Sequence, residues 1–532
     1  MAGQTLAGGT VADVYAGTWI EANVEFEDGR ITYVGPREPS GDVIDVSGKV
    51  IVPGYIEPHA HPWCVYGPSS LLEVAVPDGT TTIVYDNLFF YLSHGVDGLR
   101  RIVDAMGDAP AHVYWVARLA PQTACDAFPV DVVASMLSWP EVVASGEITN
   151  WSAVARGEFA GGIAAAKAAR KRVEGHNAGA SYNRLAELSA AGLSSDHEAI
   201  TGEEALNRLR LGMWTMLRNS SLRPDLEPML RELAPVVDAS RRLMLTTDGA
   251  APSFYARNGM IGGALRVATD IGVEPMRALQ MATIDPATFL WLDEELGGIA
   301  PGRRATFNVL SGIGEWRPER VFVDGREVAR DGRLTVPTPL IDWPQGPPLV
   351  APPPEAFAPL EGVVPVARYE SAVINRRHDS DVHQTQAALV ARDGSWITKG
   401  VVESLLPGAT GFATTATTSL ELLVLGTDPA AMTRAAAKVV EMGGGFAFDG
   451  GWSAPLEIDG LIADGDYARA LQVERELTEA MQAAGYPFHD PLYSLLFASG
   501  DFLPELRLTP AGVLDVKSRT VLAPALRYDR GA

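Results

Sequence analysis

Cysteine, histidine and positive charge are all scarce in this sequence. There are two cysteines in 532 residues, Cys64 and Cys125. A pair so widely separated supports neither a disulfide framework nor a cysteine-based zinc site. Both are expected as buried thiols in a reducing compartment. Lys and Arg number 43 against 66 Asp and Glu, giving a net charge of −23. Nucleic-acid backbones and anionic membranes are bound through basic patches, so neither is expected as a partner. No apolar run reaches the ~18 residues of a membrane span. The N-terminal stretch MAGQTLAGGTVADVY lacks the basic and apolar regions of a signal peptide. The cytoplasm is the expected location.

What is present reads as ordinary globular protein, with 47% hydrophobic and 20% charged residues. The chain is too long for one core, and length alone suggests roughly two to four domains. Residues 1–53 read as short strands, with ADVYAGTWIEANVEFEDGRITYVG punctuated by Gly and Asp-Gly turns. VIDVSGKVIVPG reads as a further hairpin-like pair. The same texture returns over 303–345, in RRATFNVLSG and RVFVDGREVARDGRL. The two flanks are expected to form one small β-sandwich around an inserted domain.

That inserted domain spans 54–302. Strand-like runs (TTTIVYDN, AHVYWVARL, EVVASGE, RRLMLTTDG) alternate with helical ones (HGVDGLRRIVDAM, DVVASMLS, GGIAAAKAARKRV, GGALRVATDIGV). Repeated strand–helix units over this length match a (β/α)8 TIM-like barrel. An open doubly wound sheet is the competing α/β solution. A Pro-rich linker follows at 346–360. Residues 361–532 then read as a C-terminal α+β domain.

The chain has nine histidines. His59 and His61 form a His-x-His pair in VPGYIEPHAHP. Alternate strand residues face the same way, so the pair aims two imidazoles at one spot. Glu147, His176, His197 and Asp248 each lie where a further strand would finish. Barrel enzymes collect their chemistry at the C-terminal ends of their strands. Four imidazoles, one bridging carboxylate and one further carboxylate would hold two divalent ions. Each residue alone also has an ordinary use. Glu147 or Glu198 could start a helix, His197 could belong to a capping cluster, and Asp248 could mark a turn. The joint order along successive strand ends is what makes the set specific.

These blocks resemble the adenine deaminase family of the amidohydrolase superfamily, and its divergent adenine-deaminase-like branch in particular. PGYIEPHAHP is similar to the family's first-strand signature. GHNAG, GLSSDHEA, PMRALQMATIDPA and GGIAPGRRATFNVL resemble its later blocks in order. VEMGGGFAFDGG and DPLYSLLFASGDFLPELRLTPAGVLDV resemble its appended C-terminal domain. The resemblance implies that His59, His61, Glu147, His176, His197 and Asp248 match metal-site positions. It implies two divalent ions, manganese or iron, or else zinc. The chain departs from the pattern at Asp86-Asn87-Leu88-Phe89, at Gly249-Ala250-Ala251-Pro252 and at Ala416-Thr417-Thr418-Ser419. Other members carry polar groups at these places. His378 and His383 lie upstream of the last.

The expected chemistry is hydrolytic release of ammonia or an amine from adenine or a related heterocycle, N6-substituted ones included. A divalent ion lowers the pKa of water to about 7. Asp248 would move the proton to the leaving amine. Asp196 and Glu198 are candidates for orienting His197 or protonating a ring nitrogen. Asp86, Asp196 and Trp63 are candidate substrate contacts. Leu88–Leu92 and Tyr66 could add pocket wall, although core packing is the ordinary fate of such residues. The same site could instead open a cyclic amide or cleave an N-acyl bond, which would proceed without free ammonia. A non-catalytic binding protein on this scaffold would hold no stoichiometric metal. A homo-oligomer is expected, as for most soluble enzymes.

Overall fold

The computed structural model describes residues 3–123 and 128–527. Cys125 lies outside the described residues. Its centre is an eight-stranded parallel sheet running in sequence order from Tyr55–Ala60 to Leu243–Thr246. A bridge between Ala60 and Asp248 joins the last strand back to the first. The Thr80–Asp86 strand, TTTIVYD, is buried at every position. Strands covered on both faces carry such continuous runs rather than alternation. The helices between them cover the outside. Gly202–Arg210 is typical: Thr201 caps it by accepting the Glu204 N–H, with Glu203 and Glu204 in the first turn and Arg208 and Arg210 in the last. Acids at the start and bases at the end oppose the helix dipole. The fold is thus the TIM-like α/β barrel.

Both flanks build one nine-stranded sheet, in which Phe307–Leu310 pairs with Val50–Pro53. It encloses its own core around Phe26, Phe307 and Phe322. The expected hairpin in VIDVSGKVIVPG does not form. Asp42–Asp45 and Val50–Pro53 both pair in parallel with Gln4–Asp13, one after the other. The strong apolar run Val50–Val52 is buried against that strand and against Phe307–Leu310, a non-local partner that outweighs the local turn signal.

The C-terminal region holds a second nine-stranded sheet, a three-stranded sheet and the helices Pro429–Glu441 and Tyr467–Ala483. It is docked on the barrel by buried polar contacts. Tyr467 Oη donates to Pro252 O at 2.9 Å, Ser253 Oγ to Glu474 at 3.1 Å, and His94 pairs with Asp459 at 2.8 Å. This docking sets the segment Pro491–Leu503 over the C-terminal mouth of the barrel, where the candidate residues converge. Among the described residues, no helix is long and apolar enough to cross a membrane.

Candidate metal and active site

His59 sits in the Tyr55–Ala60 strand and Glu147 in Val142–Ile148. His61, His176, His197 and Asp248 lie one or two residues past their strands. The barrel therefore brings all six together. Asp248 Oδ1 is 3.3 Å from His59 Nε2 and 2.9 Å from His61 Nε2. Glu147 Oε1 is 2.6 Å from His176 Nδ1 and 3.2 Å from His197 Nε2. Its other oxygen faces His61 Nε2 at 3.8 Å. Glu147 thus presents one oxygen to each half of the cluster. Asp248 has a positive φ of 59°. That conformation is uncommon outside glycine, although Asp tolerates it better than most residues.

The donor set fits divalent cations. Three overlapping groups (His59, His61, Glu147; His59, His197, Asp248; Glu147, His176, His197) keep their ligand atoms within 4.8 Å of one another. His59 Nδ1 is 2.8 Å from Glu174, which favours a proton there and leaves Nε2 to ligate. The Nε2 atoms of His59 and His61 then face each other at 3.2 Å. Asp248 Oδ1 is buried between them with no hydrogen-bond partner. Converging lone pairs of this kind require positive charge. Burial opposes a charged His59, but Glu174 and Asp248 outweigh it and hold its pKa well above the ordinary value. A metal ion meets the same demand.

A layer of fixed charge surrounds the cluster. Arg118 is fully buried and donates to Asp86 and, at 2.6 Å, to Glu147. Arg218 pairs with Asp248 Oδ2 at 2.7 Å and donates to Glu198 at 2.6 Å. Arg223 reaches Glu198 from the other side at 3.0 Å. Burial alone would raise the carboxyl pKa values. Arg118 and His176 hold Glu147 well below the usual range, and Arg218 and His61 do the same for Asp248. For Glu198, burial is outweighed by His176, Arg218 and Arg223, which hold it down to about 2. These ion pairs favour the carboxylate form of Glu198.

The remaining candidates separate. Trp63 lines the cavity and packs on His61 with ring centres 4.7 Å apart. Asp86 is fully buried behind the cluster, bonded to Arg118 and to the Leu88 N–H. Asp196 is also fully buried, paired with Arg208 and accepting the N–H groups of Asn177 and Glu198. Neither is among the cavity-lining residues. The Tyr66 hydroxyl is bonded to Ala250 O, and Phe89 and Phe90 pack in the core. His378 and His383 pair with Glu403 and with Gly362 O, outside the cavity lining.

Arg118, Arg218 and Glu174 were not singled out from the sequence. A signal existed. Arg118 and Arg218 are charges that end apolar runs. Glu174 stands two residues before His176, on the same strand face.

The cavity above the cluster is tight, with about 60 Å³ open to a water-sized molecule. Its floor is His61, Glu147, His176, Glu198, Arg218 and Asp248. Its opposite wall comes from the C-terminal region, through Val373, Tyr493, Phe497, Phe502 and Leu503.

Barrel, strand-end cluster and cavity together define a hydrolase of the amidohydrolase class acting on a small molecule. The amidohydrolase family model matches residues 50–328, and that of the adenine deaminase C-terminal domain matches 363–520. Relatives named adenine deaminase occur in Moorella thermoacetica, 31% identical over 96% of this chain and 93% of the relative, and in Ruegeria sp., 30% identical over 97% and 95%. A relative from Halalkalibacterium halodurans, provisionally given the same name, is 34% identical over 98% and 95%. A solved D-hydantoinase structure, 14% identical, superposes with a TM-score of 0.50 over 63% of this chain and 97% of that one, a likeness of fold. The chain belongs to the adenine deaminase family.

Proposed function

We propose that this enzyme is a metal-dependent hydrolytic deaminase acting on adenine or a related amino-heterocycle, N6-substituted ones included. The observation that carries this reading is Asp248. One carboxylate oxygen is held by Arg218, and the other lies unpartnered among ligand-type nitrogens at the cavity floor. In this reading His59, His61, Glu147, His176, His197 and Asp248 hold two divalent ions, manganese or iron, or else zinc. When bound, such ions supply water acidified to near neutrality.

Water oxygen bonds to the amino-bearing ring carbon, and the carbon–nitrogen bond breaks. Asp248 accepts one water proton and delivers it to the departing nitrogen, which leaves as ammonia or an amine. Glu198, held ionised by Arg218 and Arg223, accepts a hydrogen bond from a ring N–H and so orients the heterocycle. Trp63 supplies a flat face beside His61. Asp86 acts through Arg118 on Glu147, and Asp196 shapes the loop that carries His197 and Glu198. The enzyme is read as cytoplasmic and homo-oligomeric, without nucleic-acid or membrane partners.

The test is amine release from adenine, N6-methyladenine and a wider heterocycle panel by manganese- or iron-loaded protein, with Asp248→Asn as control. Release that vanishes in the control supports the reading. Silence across the panel overturns it. Cyclic-amide hydrolysis is the second reading, favoured by the apolar upper wall. Ring opening without free amine would identify it.

A further inference from the structure

The cavity's two faces come from parts of the chain more than 120 residues apart. The floor is all charge. The upper wall is apolar, except for a single hydroxyl on Tyr493. That residue begins an aromatic path across the cavity. Tyr493 and Phe497 have ring centres 5.6 Å apart, and Phe497 and Phe502 5.7 Å. Phe502 then meets the His176 ring edge-on at 5.3 Å. The wall therefore ends directly on a ligand histidine.

Tyr493 Oη is buried and has no nitrogen or oxygen partner. Buried tyrosine hydroxyls normally find one. Its neighbour in hydrogen-bond reach is the Cys64 thiol, a weak partner. Gly249, immediately after Asp248, makes the approach possible. A Cβ there would stand 2.7 Å from Tyr493 Oη. The hydroxyl is thus brought against the loop that carries the proton-transferring acid, with only a weak thiol contact to give up.

We propose that Pro491–Leu503 is the specificity wall of this enzyme. Tyr493 donates a hydrogen bond to an acceptor on the substrate, and Phe497 and Phe502 pack against a flat ring with an apolar substituent. The wall rests on the deaminase reading for the identity of the reaction, but not for the existence of the binding surface. It explains how the cavity could tolerate the lost polar groups at Ala416-Thr417-Thr418-Ser419. Thr418 bonds to Ser499 at 3.1 Å, within the wall segment's own support, and is not among the cavity-lining residues.

The experiment is calorimetric titration of adenine, N6-methyladenine, N6-benzyladenine and uncharged cyclic amides into manganese-loaded Asp248→Asn protein, alone and with Tyr493→Phe or Phe502→Ala added. Turnover by the otherwise native protein is measured in parallel. Tyr493→Phe should weaken binding about tenfold, as loss of one hydrogen bond does, with metal content and thermal midpoint unchanged. Phe502→Ala should lower the preference for alkylated over unsubstituted ligands by about tenfold. Equal affinities in Tyr493→Phe and an unchanged preference in Phe502→Ala would overturn the wall, even if the native enzyme deaminates. Binding that depends on both residues without any amine release would overturn the deaminase reading and keep the wall. No binding by any ligand would overturn both.

Discussion

The floor and the upper wall of the cavity are built on opposite principles. The floor is supplied by six barrel strands, and each ionic group is fixed by another: Glu174 on His59, Arg118 on Glu147, Arg218 on Asp248 and Glu198. The wall is supplied by the C-terminal region, by Pro491–Leu503 together with Val373, and its inner face is held mainly by packing. Charge pairs hold directions tightly but tolerate little change, because removing one partner strands the other in a dry site. Aromatic packing is less directional and can accept ligands of different outline. On the proposed reading, chemistry belongs to the floor and selectivity to the wall.

The sharpest way to break that division is at Asp248. Asp248→Asn should reduce amine release by about 10³-fold, as loss of a proton-transfer group does, measured by steady-state ammonia assay. A variant retaining near-native rate would remove the chemistry from the floor.

Next comes Arg118. Arg118→Met leaves Asp86 and Glu147 as buried carboxylates without their shared cation. A loss of about 3–5 kcal/mol in stability is expected, read by denaturant unfolding. A native-like midpoint would mean that the fixed-charge layer is dispensable.

Glu174→Gln is gentler, since the amide can still accept the His59 proton but carries no charge. Metal affinity should fall about 10- to 100-fold, measured as metal retained after dialysis against a chelator. Full retention would show that His59 needs no charged partner.

The smallest effect is expected at Asp78, near the N-terminal end of the barrel and outside the cavity lining. Burial pushes its pKa from the usual 3.8 up to about 7. Between those values the folded protein keeps a proton that the unfolded chain has released, so stability falls as pH rises through the window. Asp78→Asn should flatten that slope in thermal melts and leave turnover unchanged. An unaltered slope would mean that other groups set it.

The relation of sequence to structure follows the same division. His59, His61, Glu147, His176, His197 and Asp248 were readable because each lies where a barrel strand would finish, and strand ends of a barrel converge whatever the loops do. The alternation of strand and helix depends on period and on apolar continuity, both local properties. Asp86 and Asp196 look equally exposed to substrate in the sequence, yet each is claimed by an arginine, Arg118 and Arg208, from another part of the barrel. No local pattern records that pairing. The hairpin expected in VIDVSGKVIVPG yielded for the same reason, to a partner strand more than 30 residues earlier.

The sequence by itself determined the barrel, the order of the ligand-type residues and the family. Those rest on spacing along the chain. Only the tertiary structure decided that Arg218 and Arg223 pair with Glu198, that Glu174 faces His59, and that Tyr493 stands against Gly249. Each depends on charges or surfaces that are remote in sequence and meet only when the strands close and the C-terminal region docks.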